Sequence, residues 1–248
     1  MKLGFSIKLV LFFIVSALAI AAAAYLLSDF RLPFLDRDDT LQTNADTLKY
    51  KTVIIDAGHG GEDGGASSAK GLIEKNVNLD ISKRLCEMLR ANGINVVMTR
   101  EDDRLLYDRN SDYQGRKKKL DLAARLTIAD TTPDAIFISI HMNSFTNPKY
   151  SGLQVWYSPN DPDSSTLASL IQSNNKSTLQ PDNTRKTKAA TGSIFLLENA
   201  TCPAVLVECG FLSNPAEAAL FETDEYKQKV ASMLCSSITD FLEIPLSQ

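Results

Sequence analysis

Histidine is almost absent: the chain of 248 residues holds two, His59 and His141. Neither basic nor acidic residues dominate, with 26 Lys and Arg against 30 Asp and Glu and a net charge of −4, so there is no footprint for nucleic acid. The short basic run Arg116-Lys117-Lys118-Lys119 reads as a solvated helix start. Four cysteines occur, Cys86, Cys202, Cys209 and Cys235, none at the CxxC spacing of a zinc knuckle or a thiol redox pair. Each lies in an apolar stretch and reads as a small buried residue rather than half of a bridge. No internal repeat or low-complexity segment is visible, which excludes solenoids and arrays.

One long apolar run is present. Lys2 and Lys8 precede nineteen uncharged residues, Leu9 to Leu27. That length approaches the ~20 residues needed to cross a bilayer and exceeds a usual signal-peptide core. Ala21-Ala22-Ala23-Ala24 offers a cleavage site, but Tyr25-Leu26-Leu27 continues the apolar run beyond it. Residues 1–28 are therefore expected to form a membrane anchor in preference to a cleaved signal. In both cases the lysines stay inside and the rest of the chain is extracytoplasmic. Residues 29–49, with Leu32-Pro33 and Asp36-Arg37-Asp38-Asp39, have no sustained period and read as a tether.

Residues 50–245 alternate between strand and helix patterns. Strands are expected at Lys51–Asp56, Ile94–Thr99, Asp134–His141, Gly152–Tyr157, Ile194–Leu197 and Ala204–Glu208. Helices are expected at Asn76–Asn92, stopped by Gly93, at Arg116–Asp130, at Asp163–Leu179 and at Glu225–Leu242. The Arg116–Asp130 helix should turn Leu120, Ala123, Ala124 and Ile128 inward. Asn214-Pro215-Ala216-Glu217 reads as a further helix start, with an N-cap, a proline at N1 and a capping-box glutamate. This order implies one α/β domain: a mostly parallel central sheet flanked by helices on both faces.

Both histidines follow apolar strand patterns, and strand ends are where α/β folds bind ligands. His59 sits in Asp56-Ala57-Gly58-His59-Gly60-Gly61, and the glycine-rich turn lacks the lysine and Ser/Thr of a phosphate-binding loop. A catalytic zinc takes three protein ligands and keeps a position for water. Glu74, before the first helix, is the best third ligand; its other reading is a first-turn acid favoured by the helix dipole. Glu62 and Asp63 are alternatives. Glu208 closes a buried apolar strand, where a carboxylate needs either a salt-bridge partner or a role such as general base. Among secondary positions, Asn143 either binds substrate or fixes its loop, and Arg100 reads as half of an ion pair. Arg185 and Lys188 either hold substrate carboxylates or decorate a solvated loop, and Trp156 reads as core rather than a sugar platform.

Five ordered motifs then stand together: Asp56-Ala57-Gly58-His59-Gly60-Gly61, Glu74-Lys75-Asn76, Thr99-Arg100, Ser139-Ile140-His141-Met142-Asn143 and Val207-Glu208-Cys209-Gly210-Phe211-Leu212-Ser213-Asn214. Over nearly all of residues 51–243 the chain resembles the zinc-dependent N-acetylmuramoyl-L-alanine amidases of bacterial cell walls, the amidase-3 family. The resemblance implies Zn2+ held by His59, Glu74 and His141, with Glu208 as the catalytic residue. It implies a peptidoglycan substrate, cut between N-acetylmuramic acid and L-alanine. The short chain, without wall-binding repeats or a long insertion between His141 and Glu208, is most similar to the germination-specific amidases of spore formers, which act on cortex peptidoglycan. A vegetative amidase is the alternative. A zinc peptidase acting on the stem peptide and a non-enzymatic wall-binding module are the rival classes, and an activating protein partner is compatible with so bare a domain.

Overall fold

In the computed structural model, β1 (Thr52–Ala57) is buried along its whole length. The structure describes residues 48–107, 115–192 and 194–243. The expected anchor, the expected tether apart from Leu48 and Lys49, and the last residues of the chain lie outside these. Among the described residues no helix is long and apolar enough to cross a membrane.

The order after β1 is α1 (Glu74–Ala91), β2 (Asn95–Met98), α2 (Lys117–Thr131), β3 (Ala135–Asn143), β4 (Gln154–Tyr157), α3 (Pro162–Thr178), β5 (Lys188–Ala189), α4 (Phe195–Asn199), β6 (Ala204–Phe211), α5 (Pro215–Phe221) and α6 (Asp224–Leu242). The strands form one sheet in the order β2-β1-β3-β6-β4-β5. β2, β1, β3 and β6 run parallel, whereas β4 is antiparallel to β6. The sheet is thus mostly parallel, and its parallel strands read as near-continuous apolar runs because both faces are covered.

Alternate residues of each strand feed two cores. Val53, Ile55, Ile136, Ile138, Ile140, Val205 and Val207 pack with Val77, Ile81, Leu85 and Leu89 of α1 and with apolar residues of α3 and α6. Ile54, Phe137 and Leu206 face the opposite way, against Ala129 of α2 and Leu196 and Leu197 of α4. Each fully buried aliphatic side chain contributes about 1.5–3 kcal/mol. Gly93, at φ 76, ends α1 where its amide returns to the Arg90 carbonyl. Tyr50 closes the N-terminal side, stacking on Phe241 at 5.8 Å and donating to Asp163 Oδ2 at 2.6 Å. The cysteines are unbridged, and Cys86, Cys209 and Cys235 are buried.

Three expectations are corrected. Ile194–Leu197 is not a strand: the run belongs to the helical turn of α4, with Leu196 and Leu197 inward. A short apolar run has no period long enough to separate the two. α2 turns Asp121, Arg125 and Ala129 inward, while Ala123 is exposed. Ile128 does pack against the core, beside Leu122 and Leu126, but the deepest positions of the stripe are the paired Asp121 and Arg125, which hydrophobicity alone does not point to. Finally, Asn214 caps α5 by accepting from the amides of Ala216 and Glu217, but Glu217 forms no capping box. Its carboxylate instead accepts from the amides of Gly152 and Phe211 at 2.9 and 2.8 Å.

Candidate active site

The site lies at the C-terminal ends of three neighbouring parallel strands, β1, β3 and β6, as expected of an open α/β sheet. His59 follows β1 in the left-handed region, at φ 62. Its loop is ordered by reciprocal backbone bonds between Gly60 and Asp63, both 3.0 Å. Glu74 opens α1 without capping it: Oε2 accepts from the Ala66 amide at 2.7 Å and Oε1 from the Met142 amide at 3.0 Å. These bonds tie the carboxylate to both the glycine-rich loop and the end of β3. His141 lies within β3, which continues to Asn143 through a register shift.

Glu74 Oε1 stands 3.2 Å from His59 Nε2 and 3.0 Å from His141 Nδ1. One ligating atom from each of the three side chains falls within 4.8 Å of the others. Two imidazoles and a carboxylate form a donor set suited to zinc, and three protein ligands leave a position for water. His59 Nδ1 faces Asp63 Oδ2 at 2.9 Å, a bond that directs Nε2 toward Glu74. Burial alone would raise the Glu74 pKa, but the neighbouring His141 and His59 outweigh it and hold the carboxyl well below its usual range. By donor type and proximity the three residues fit a divalent cation. Asp63 joins the group as a partner of His59, while Glu62 turns away to Lys117 at 2.5 Å.

Two glycines make this convergence sterically feasible. A Cβ on Gly58 would stand 2.2 Å from His141 Nε2. One on Gly65, at φ +67, would stand 2.5 Å from Glu74 Oε2 and 2.7 Å from the His59 ring.

Glu208 lies beside His141, its register partner across the β3–β6 pair. β6 runs past it to Phe211, so the acid sits inside the strand rather than at its end. Its Oε2 is buried with no hydrogen-bond partner among the described residues. No ion pair forms to it there, so the salt-bridge reading falls. Burial pushes its pKa up to about 7, with the His141 charge opposing and the Glu74 charge reinforcing. A carboxylate poised near neutrality beside a metal-binding cluster can accept and return a proton at physiological pH.

The secondary positions divide. Arg185 Nη1 donates to Gln154 Oε1 at 3.0 Å and Nε to the Ser151 carbonyl at 2.6 Å. Its guanidinium lies 4.5 Å over the Phe211 ring, and Gln154 is the β4 partner of Glu208. Lys188 instead covers the partly buried Trp156 at 5.1 Å. The Asn143 carbonyl accepts from the Leu212 amide at 2.8 Å, fixing the loop. Among the described residues Arg100 forms no ion pair: it is 1 % exposed and donates to the carbonyls of Ala57, Gly58, Lys75 and Asp102. Sequence reading overlooked Asp56, Asp121 and Arg125, which form a buried ion cluster under the loop. The signal was available, because Asp56 follows the apolar run Val53-Ile54-Ile55 just as Glu208 follows Val205-Leu206-Val207, and a buried carboxylate needs a partner.

Residues 53–240 match the family model described as N-acetylmuramoyl-L-alanine amidase. The chain is 38% identical over 191 residues to the germination-specific N-acetylmuramoyl-L-alanine amidase of Bacillus subtilis, covering 77% of this chain and 79% of that protein. Among solved structures, the CwlD amidase of Clostridioides difficile, determined in complex with the GerS lipoprotein, superimposes with a TM-score of 0.73 at 37% identity, covering 78% of this chain and 99% of that one. The amidase AmiC2 of Nostoc punctiforme gives a TM-score of 0.66 at 29% identity, covering 79% and 98% of the two chains. With this fold, the His59–Glu74–His141 cluster and Glu208 beside His141, the chain belongs to the N-acetylmuramoyl-L-alanine amidases that cleave peptidoglycan.

Proposed function

We propose that this chain is a zinc amidase of the spore cortex, with His59, Glu74 and His141 as metal ligands and Glu208 as the general base. The observation that carries the catalytic assignment is the unpartnered Glu208 carboxylate oxygen buried beside the His–Glu–His cluster. When bound, zinc supplies Lewis acidity that lowers the pKa of water and stabilises the developing oxyanion. Glu208 takes the proton from the water that attacks the lactyl carbonyl. It then returns the proton to the nitrogen of L-alanine as the amide bond breaks, leaving lactate on the glycan and a free N-terminus on the peptide. Asp63 holds His59 in the tautomer with Nε2 free. Arg185, with Nε and Nη1 already engaged, turns its remaining nitrogen to a carboxylate of the stem peptide, and Asn143, two residues beyond His141 on β3, is the second substrate contact.

The cortex assignment follows the similarity to a germination-specific relative. A lipoprotein partner in the CwlD complex supports an activating protein partner for this chain too. Residues 1–28 anchor the protein outside the cytoplasm, residues 29–49 tether it, and residues 50–245 carry the catalysis; sequencing the mature N-terminus distinguishes an anchor from a cleaved signal. The function is tested by mass spectrometry of cortex and vegetative peptidoglycan digested by the zinc-loaded chain, beside Glu208→Gln. Peptides beginning at L-alanine and peptide-free muramic acid, produced from cortex and absent with the variant, are the expected products. Release of a C-terminal amino acid would instead identify a peptidase, and cleavage confined to vegetative wall would remove the cortex assignment.

A further inference from the structure

We propose that Arg125 is a positioning residue, holding His59 in the left-handed backbone conformation from which its imidazole reaches the metal site. The proposal rests on the metal-binding reading of His59, Glu74 and His141. His59 carries a Cβ, yet it adopts φ 62, a region disfavoured for residues other than glycine. Something must hold it there, and the bond is visible: Arg125 Nη2 donates to the His59 carbonyl at 2.7 Å. Nη1 of the same guanidinium donates to the Ala57 carbonyl at 2.9 Å and pairs with Asp56. One planar fork thereby spans the end of β1 and the first metal-ligand residue.

The fork is itself immobilised. Arg125 is 1 % exposed, and its Nε donates to Asp121 Oδ2 at 2.8 Å, one turn earlier on α2. Asp56 is pinned by the hydroxyls of Thr99 and Ser139 at 2.7 and 2.6 Å. Arg100 grips Ala57 and Gly58 but makes no bond to His59, so the histidine's own carbonyl depends on Arg125. A lysine would preserve the charge opposite Asp56 but offers a single nitrogen, which cannot serve two carbonyls and two carboxylates in this plane. Outer partners of metal ligands typically change affinity by about 10–100-fold when removed.

The test measures the zinc Kd of the full-length chain in mild detergent, by competition with a chromophoric chelator, together with the Tm of the metal-free protein. Arg125→Lys is expected to bind zinc about 10–100-fold more weakly than wild type. Ile171→Val, a core change on α3 remote from the loop, should lower Tm while leaving the zinc Kd unchanged. An Arg125→Lys protein with the wild-type zinc Kd, whatever its Tm, would show that Arg125 only stabilises the fold and would overturn the proposal. Should Arg125→Lys not fold, Asp121→Asn decides by the same measurement: weakened zinc binding supports positioning, and unchanged binding overturns it. Absence of zinc binding by the wild type would overturn the metal reading as well, a result distinct from the loss of Arg125's role alone.

Discussion

Glu208 carries two obligations that conflict, since the burial that tunes it for proton transfer also costs folding energy. Its folded pKa of about 7 lies above the ordinary 4.5. Between those values the folded metal-free protein binds more protons than the unfolded chain, so this residue's contribution to stability falls as pH rises from 4.5 to about 7. Glu208→Gln removes that slope. At pH 8 the metal-free variant is expected to be more stable than wild type by on the order of 2 kcal/mol, after discounting for partial exposure. Urea unfolding at pH 4 and pH 8 measures it, and equal differences at the two values would contradict the assignment. Activity should move the other way, falling about 10²–10⁴-fold with the base removed. Gly58 gives a steric counterpart. Its φ is not left-handed, so alanine fits the backbone, but the added Cβ would lie 2.2 Å from His141 Nε2. Gly58→Ala is expected to weaken zinc binding at least about tenfold while leaving the far-ultraviolet circular dichroism unchanged.

At the scale of elements, the sequence was readable wherever one face of an element was apolar. α1 shows this, with Val77, Ile81, Leu85 and Leu89 foreseen and found buried. Legibility failed where pairing replaced hydrophobicity. The inward stripe of α2 holds Asp121 and Arg125, which look solvated until Asp56 of another element is placed against them. The two-residue β5 and the five-residue α4 are too short for a period to emerge. The antiparallel direction of β4 depends on how the chain crosses the sheet, which no local pattern encodes. For the site more could be read: the order of the motifs already named His59, Glu74, His141 and Glu208, and the structure puts the first three within 4.8 Å of one another with Glu208 paired to His141. The start of α5 shows what a local motif can and cannot say. Asn214→Ala should cost about 1 kcal/mol through the lost cap. It should also loosen Tyr150, whose carbonyl accepts from Asn214 Nδ2 at 3.2 Å. A loss in chemical denaturation clearly above the ~1 kcal/mol of an ordinary lost cap is the expected sign of that second bond.

For the whole molecule, the site joins elements that the cores hold only from below. β1, β3, α1 and the loop between Gly58 and Glu74 each supply a residue of the candidate site or its support, and Glu74 bridges the loop to β3 through the Ala66 and Met142 amides. A cation bound there contacts the folded arrangement and finds no equivalent in the unfolded chain, so its binding energy becomes folding energy. At free zinc about 1,000-fold above Kd, stabilisation reaches about 4 kcal/mol. For a domain of this size that corresponds to roughly 8–16 °C in Tm. Removing metal with a chelator should lower Tm by that amount, and zinc should restore it. His141→Ala should lose this zinc-dependent increment while retaining a cooperative transition, because both hydrophobic cores lie on the sheet faces and neither includes His141. Calorimetry of both proteins with and without zinc separates the two contributions. A zinc-dependent rise surviving in His141→Ala would mean that the metal binds elsewhere, and the His59–Glu74–His141 assignment would fall with it.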